Sequence, residues 1–345
     1  MLAYRFHTWG QPPELQEVEP PTPGPGEVVI RIGGAGACHS DLHIVSAREE
    51  FPWQLPFTLG HENAGWIEDL GPGVGDWEPG EPVAVYGPWG CGHCQMCRLS
   101  AENCCENYAS QGAAGGGAGR DGGMAELMLV PSTRLLVPLG DLDPVAAAPL
   151  TDAGLTPYHA IKRALPHLQP GSTAVVIGLG GLGHLALQML RALTPTKVIA
   201  VDSAVEKVEA ATAHGAHVAV HSGGEDPVAE ILEHTDGKGA DVVFDLVAVE
   251  PTVRLAGALS RRGGEVLIVG LGGAELPVGF RSVASDCAVV SPYWGTWTEL
   301  TEVVELARDG VIHAAVETFP LSEVDTAYER MEAGTLRGRA VIVPG

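Results

Sequence analysis

Fifteen residues, from Cys91 to Cys105, hold five of the chain's seven cysteines. Cys91, Cys94 and Cys97 are separated by two residues each, and a fourth thiolate follows at either Cys104 or Cys105. Four thiolates satisfy tetrahedral zinc and leave no open position, so the cluster describes a structural site with no chemical step of its own. A redox Cys-x-x-Cys accounts for one such pair but poorly for interlocked ones. A metal that does chemistry needs three protein ligands and an open position. Cys38-His-Ser-Asp41 and Gly60-His-Glu62 supply donors of the right kinds. Cys38 offers a thiolate, His61 an imidazole, and Asp41 or Glu62 a carboxylate that could orient them.

A second chemical signal is Gly178-Leu-Gly-Gly-Leu-Gly183. It follows the apolar run Ala174–Ile177 and opens the helical pattern His184–Arg191, the context in which G-x-G-x-x-G binds a dinucleotide. Gly178 permits the tight turn. Gly180, with Gly181 and Leu182 beside it, lets backbone amides approach a pyrophosphate at the helix N-terminus, and Gly183 allows close helix packing. The next run, Val198–Val201, ends in Asp202, whose carboxylate accepts from the adenine-ribose hydroxyls of NAD and repels the 2′-phosphate of NADP. Ser203–Val205 contains no arginine to receive that phosphate, so NAD is the expected cofactor.

Two kinds of element must position these groups. Up to about residue 150 the chain is rich in Pro and Gly and carries short alternating strands, Val28–Ile32, Val83–Tyr86 and Met124–Val130, which reads as an irregular, mainly β domain. From Thr173 short apolar runs, at 174–177, 198–201, 217–220, 241–245 and 266–269, alternate with helix-length segments. Strands buried on both faces and joined by crossover helices give an α/β domain with a doubly wound parallel sheet, a Rossmann architecture. After residue 290 the pattern breaks: Tyr293-Trp-Gly-Thr-Trp297 precedes an amphipathic stretch, Glu299–Arg308, and a last strand, Ala340–Val343, expected to return to the first domain. The expected division is 1–153 with 291–345 for the β domain, 154–290 for the cofactor domain, and a zinc lobe at about 88–110. Gln111–Gly123 has Gly at seven of its last twelve positions and reads as a mobile surface loop.

With 345 residues, 45% of them hydrophobic and 18% charged, the chain is globular and long enough for two cores. A net charge of −23 repels a phosphate backbone and argues against a nucleic-acid partner. No apolar run has the length of a membrane span, and the start, Met1 to His7, lacks a signal-peptide core. Metal-bound thiolates suit a reducing compartment, so a cytoplasmic, soluble protein is expected.

Together these pieces resemble the zinc-dependent medium-chain alcohol dehydrogenases. The matching segments are Gly24-Pro-Gly-Glu27, Cys38-His-Ser-Asp-Leu-His43, Gly60-His-Glu-Asn-Ala-Gly65, the cysteine lobe, Leu150–His159 and the glycine fingerprint, spanning essentially the whole chain. Tyr86–Cys91, Gly140–Pro144 and Pro292–Gly295 look most like bacterial NAD-dependent secondary-alcohol dehydrogenases and phenylacetaldehyde reductases. The resemblance implies a GroES-like catalytic domain, NAD and two zinc ions per chain. One zinc would be catalytic, on Cys38, His61 and Asp152, the last standing where other members have cysteine. The other would be structural, on Cys91, Cys94, Cys97 and Cys105, because the family register favours Cys105 over Cys104.

The resemblance also implies roles. Secondary alcohols and ketones would be interconverted by hydride transfer to and from NAD, or aryl aldehydes reduced, with the zinc polarising the substrate oxygen. Ser40, the nicotinamide ribose and His43 would relay the proton. Asp41 would hold His61, and Glu62 would approach the metal during ligand exchange. Arg337 would reach the pyrophosphate, with Arg339 as its rival. Phe51, Trp53, Leu55, Tyr293 and Trp294 would wall an apolar pocket, and the chain would form a homodimer or homotetramer.

Overall fold

A computed structural model describes residues 1–47 and 51–345. They divide into two compact units, Met1–Leu155 with Trp294–Gly345, and Thr156–Tyr293.

Six parallel strands form the sheet of the Thr156–Tyr293 unit. Their order is Val218–His221, Lys197–Asp202, Thr173–Ile177, Ala240–Asp245, Ser260–Ile268, Ala288–Val290. In chain order this is 3-2-1-4-5-6, the dinucleotide-binding arrangement. The β-branched runs explain it: Val175, Ile199, Val201, Val243 and Val266 have no exposed surface. Each such side chain stabilises the sheet by about 1.5–3 kcal/mol. The order reverses between Thr173–Ile177 and Ala240–Asp245, and in such sheets the ligand crevice opens at the carboxyl ends there.

The other unit is built on a seven-stranded sheet. Its path runs Leu136–Pro138, Pro82–Val85, Glu62–Leu70, Val28–Gly36, Arg339–Val343, Val316–Pro320, and Leu127–Val130 pairs beside Val28–Gly36. Arg339–Val343 lies antiparallel to Val28–Gly36, which ties the C-terminal segment into this unit. The expected strand Met124–Val130 is split between two partners. Ala125 bridges to Ala3, whereas Leu127–Val130 runs along Val28–Arg31. The amphipathic stretch becomes the helix Trp297–Arg308, started by a reciprocal cap in which Thr296 and Glu299 accept from each other's backbone N–H.

The glycine-rich stretch is not a mobile surface loop. Residues 114–119 are buried, and Gly115–Gly116 pairs with Gly119–Arg120. Its backbone packs directly on other backbone: a Cβ on Gly117 would lie 2.3 Å from the Gly60 carbonyl carbon, and one on Gly122 would lie 2.2 Å from the Gly60 oxygen. Gly123 N donates to Gly60 O at 3.0 Å. The glycines are there for closeness, because any side chain would displace the segment that carries His61. Among the described residues no helix is long and apolar enough to cross a membrane.

Candidate active site

The strand Val28–Gly36 ends just before Cys38, which caps the helix His39–Ser46. Asp41, in the first turn of that helix, accepts the Cys38 N–H on Oδ2 at 2.9 Å. An acidic group at this position also complements the positive end of the helix. The same carboxylate accepts from His61 Nδ1 through Oδ1 at 2.8 Å, and Asp41 is fully buried. His61 precedes the strand Glu62–Leu70, and Asp152 follows the short 3-10 turn Ala148–Thr151.

These elements bring Cys38, His61, Glu62 and Asp152 together with their ligand atoms within 4.8 Å of one another. His61 Nε2 lies 3.5 Å from Asp152 Oδ2, and Cys38 Sγ lies 3.9 Å from the same oxygen. Tetrahedral zinc with ordinary bond lengths separates nitrogen from oxygen by about 3.4 Å and sulfur from oxygen by about 3.6 Å. The donor set and its spacing therefore fit zinc. Burial opposes charge on His61, yet Asp41, Asp152 and Cys38 hold the imidazole well above its ordinary value. Such surroundings favour a cation.

Glu62 is committed elsewhere. Arg339 grips its carboxylate with Nε at 2.9 Å and with a second guanidinium nitrogen, and Ala153 N donates to Oε1 at 3.1 Å. The Glu62 and Arg339 side chains are 0% and 5% exposed. Burial pushes the Glu62 carboxyl up, and Arg339 opposes that rise. Burial disfavours charge on Arg339, but Cys38, Glu62 and Asp152 keep its guanidinium charged. Gly36 makes the space, since a Cβ there would sit 1.8 Å from Glu62 Oε2.

Four other thiols meet in the lobe. Cys91, Cys94, Cys97 and Cys105 place their Sγ atoms within 4.8 Å of one another, with Cys91–Cys97 at 3.9 Å and Cys94–Cys105 at 4.0 Å. A tetrathiolate zinc has sulfur–sulfur edges of about 3.8 Å. Backbone amides of Cys91 and Cys94 point at thiols, reaching Cys105 and Cys91 at 3.3 Å. The His93 amide is foremost in drawing Cys91 down to about 5, whereas burial pushes Cys97 up to about 12. Cys104 is exposed. Arg134 braces the lobe through Glu102 and the Trp89 carbonyl, both at 2.6 Å.

The sequence profile described as alcohol dehydrogenase GroES-like domain matches residues 24–141, and that described as zinc-binding dehydrogenase matches 181–309. Over 355 aligned residues the chain is 36% identical to an NAD-dependent alcohol dehydrogenase of Sulfurisphaera tokodaii, covering 100% of both chains. The chain belongs to the zinc-dependent medium-chain alcohol dehydrogenase family. Two solved structures resemble it throughout. The alcohol dehydrogenase of Aeropyrum pernix has a TM-score of 0.92 at 37% identity, covering 100% of both chains. An acetophenone reductase of Geotrichum candidum in complex with NAD has a TM-score of 0.87 at 31% identity, covering 99% of this chain and 96% of that one.

In the family's cofactor unit, Gly178 takes φ +92° and a Cβ on it would strike Val247 at 2.4 Å. A Cβ on Gly183 would lie 2.0 Å from Gly178 O, which is the close helix approach the fingerprint requires. Gly180 has no heavy atom within 4 Å of such a Cβ, so the space beside it is open. Gly181 and Leu182 lead into the helix Gly183–Leu193. Asp202 closes the strand Lys197–Asp202, its oxygens accepting from Leu179 N at 2.6 Å and Ala204 N at 2.8 Å.

The remaining expected residues divide. Ser40 Oγ lies 3.4 Å from Cys38 Sγ, and His43, one helical turn on, is exposed. Trp294 is buried, stands T-shaped to His61 with centroids 5.7 Å apart, and donates its indole N–H to Thr151 O at 3.0 Å. Phe51 and Trp53 stack at 4.3 Å and pack with Trp9, Trp53 meeting Phe57 edge-on as well. Leu55 is half-buried, and Tyr293 is 41% exposed. Arg339 is buried, binds Glu62 and lies 3.8 Å from Asp152, whereas Arg337 is exposed. Sequence reasoning missed Tyr328, whose hydroxyl donates to Asp41 Oδ2 at 3.0 Å. A tyrosine 287 positions away carries no local signal of that contact.

Proposed function

We infer that the chain is a zinc- and NAD-dependent oxidoreductase interconverting alcohols and ketones, with hydrophobic or aryl secondary alcohols as its preferred class. The observation that carries this reading is the trio Cys38, His61 and Asp152, with a fourth candidate ligand, the Glu62 carboxylate, held by Arg339. Three protein ligands that leave a fourth position for substrate are what distinguish a catalytic zinc site from a structural one. Zinc held there supplies a Lewis acid that lowers the pKa of an alcohol hydroxyl. Asp41 keeps a proton on His61 Nδ1 and leaves Nε2 as the donor atom. Ser40 Oγ would accept the substrate proton as its own passes to the nicotinamide ribose, and the exposed His43 would hand it on to solvent.

Trp294, beside His61, favours apolar substituents and excludes water. Gly178, Gly180 and Gly183 form the turn for the NAD pyrophosphate, and Asp202 accepts from the ribose. The similarity to an acetophenone reductase supports the aryl-ketone preference. A cytoplasmic location and a homodimer or homotetramer follow from the family resemblance alone.

The test pairs zinc stoichiometry with turnover on aliphatic and aryl substrates using NAD and NADP. Two zinc ions per chain and NAD-linked turnover of secondary alcohols are expected. A zinc-replete preparation inactive on all of them would overturn the reading. A kcat/KM higher for phenylacetaldehyde than for acetophenone would reassign the substrate to aryl aldehydes.

A further inference from the structure

The Asp41 carboxylate is the hub of the catalytic side of the β unit. It accepts from Cys38 N, from His61 Nδ1 and from the Tyr328 hydroxyl, at 2.9, 2.8 and 3.0 Å. Two of these partners come from the residues that supply metal donors. The third arrives from the helix Val324–Glu332, near the other end of the chain.

Both Asp41 and Tyr328 are buried, so no water can replace a lost partner cheaply. Tyr328 Oη also lies 3.4 Å from Met124 Sδ. The hydroxyl has one proton, and a carboxylate is a far stronger acceptor than a thioether, so the proton goes to Asp41. Oδ2 then carries two donors and Oδ1 one. That leaves the carboxylate a single orientation, and the His61 ring is fixed with it.

We propose that Tyr328 is a positioning residue for the metal ligand His61, acting through Asp41. The proposal rests on reading Cys38, His61 and Asp152 as a zinc site. Without the hydroxyl, Oδ2 keeps only the Cys38 N–H, so the Asp41 carboxylate is held less tightly and the imidazole Nε2 is aimed less firmly at the metal position. Groups that orient a metal-bound histidine typically matter about 10–100-fold in metal affinity or activity.

Tyr328→Phe removes one oxygen and keeps the ring, including its packing beside Tyr4 at 6.4 Å between centroids. Tyr4→Phe is the matched control, because the Tyr4 hydroxyl binds Asp325 on the same helix and not Asp41. The measurement is the rate at which each holoenzyme transfers zinc to a chromogenic chelator, together with the visible spectrum after cobalt replaces the Cys38-site metal. Tyr328→Phe is expected to release one of two zinc ions about tenfold faster, with an altered cobalt spectrum and the lobe zinc retained. Tyr4→Phe is expected to lower the melting temperature without changing either readout. Parental release and spectrum in Tyr328→Phe would overturn the proposal. So would equal acceleration in Tyr4→Phe, or failure of Tyr328→Phe to fold, because either assigns the hydroxyl to the scaffold. A parent chain that binds only the lobe zinc would instead defeat the functional reading itself, before any variant is made.

Discussion

Replacing Cys105 by serine is expected to empty the lobe of zinc while leaving the Cys38 site loaded. The lobe's buried cluster consists of Cys94, Cys97 and Cys105, with Cys91 and Met96 packed against it. Almost no hydrocarbon is available to hold this segment together without a metal. Structural zinc contributes apparent free energies of about 10–16 kcal/mol in small domains. The metal-free lobe has no substitute for it. Like charges about 4 Å apart cost about 4 kcal/mol per pair at an effective dielectric constant of about 20, so four thiolates cannot coexist there. Cys97, pushed up to about 12 by burial, then remains a thiol. If losing one ligand forfeits only about 4 kcal/mol, local opening rises about a thousandfold. Metal analysis should find two zinc ions per parent chain and one in Cys105→Ser, and amide hydrogen exchange over residues 91–105 should become rapid. Cys104→Ser alters an exposed thiol and should match the parent in both. Two zinc ions in Cys105→Ser, or one in Cys104→Ser, would refute the assignment of the fourth ligand.

Arg339→Leu strands a buried carboxylate and should cost about 3–5 kcal/mol in urea unfolding, with Glu62→Gln in the same chain recovering most of it. Burial raises the parent's folded Glu62 to about 7 despite Arg339, and without Arg339 it rises further, so the deficit should be smallest below about pH 7, where both folded chains hold the carboxyl protonated, and grow above it. Gly117→Ala meets the Gly60 carbonyl carbon at 2.3 Å with φ at +77°, and should lose stability and Cys38-site zinc together. Gly112→Ala, with φ +65° and nothing within 4 Å, should cost only the left-handed strain of about 1–2 kcal/mol and keep its zinc. Asp202→Asn retains an oxygen acceptor but loses the charge, so kcat/KM with NADP relative to NAD should rise about tenfold; an unchanged ratio would remove Asp202 from cofactor choice.

Features written over a few neighbouring residues were legible without a structure. Cys91, Cys94 and Cys97 declare a metal lobe because turns in Cys-x-x-Cys segments converge thiols locally. Ala174–Ile177 followed by Gly178–Gly183 declares a strand, a tight turn and a helix for the same reason. The stretch 111–123 was misread because glycine abundance signals freedom when the surroundings are unknown. Here Gly115, Gly117 and Gly122 lie against another segment's backbone, and Gly116 and Gly123 against other segments' side chains. Asp152 carried no spacing signal at all; resemblance alone nominated it as a ligand.

Local sequence thus determined which chemistry the chain could perform: thiolate and imidazole donors, a dinucleotide turn, and β-branched runs that can only be buried strands. Tertiary structure decided which of those groups are held ready. Arg339 reaches Glu62 across 277 positions, and Tyr328 reaches Asp41 across 287. The first contact exists because Arg339–Val343 closes against Val28–Gly36, and the second because the helix Val324–Glu332 brings Tyr328 to the buried carboxylate beside Cys38. Neither pairing leaves a periodicity in the chain, since its partners are joined by sheet closure and burial and not by any repeat of helix or strand.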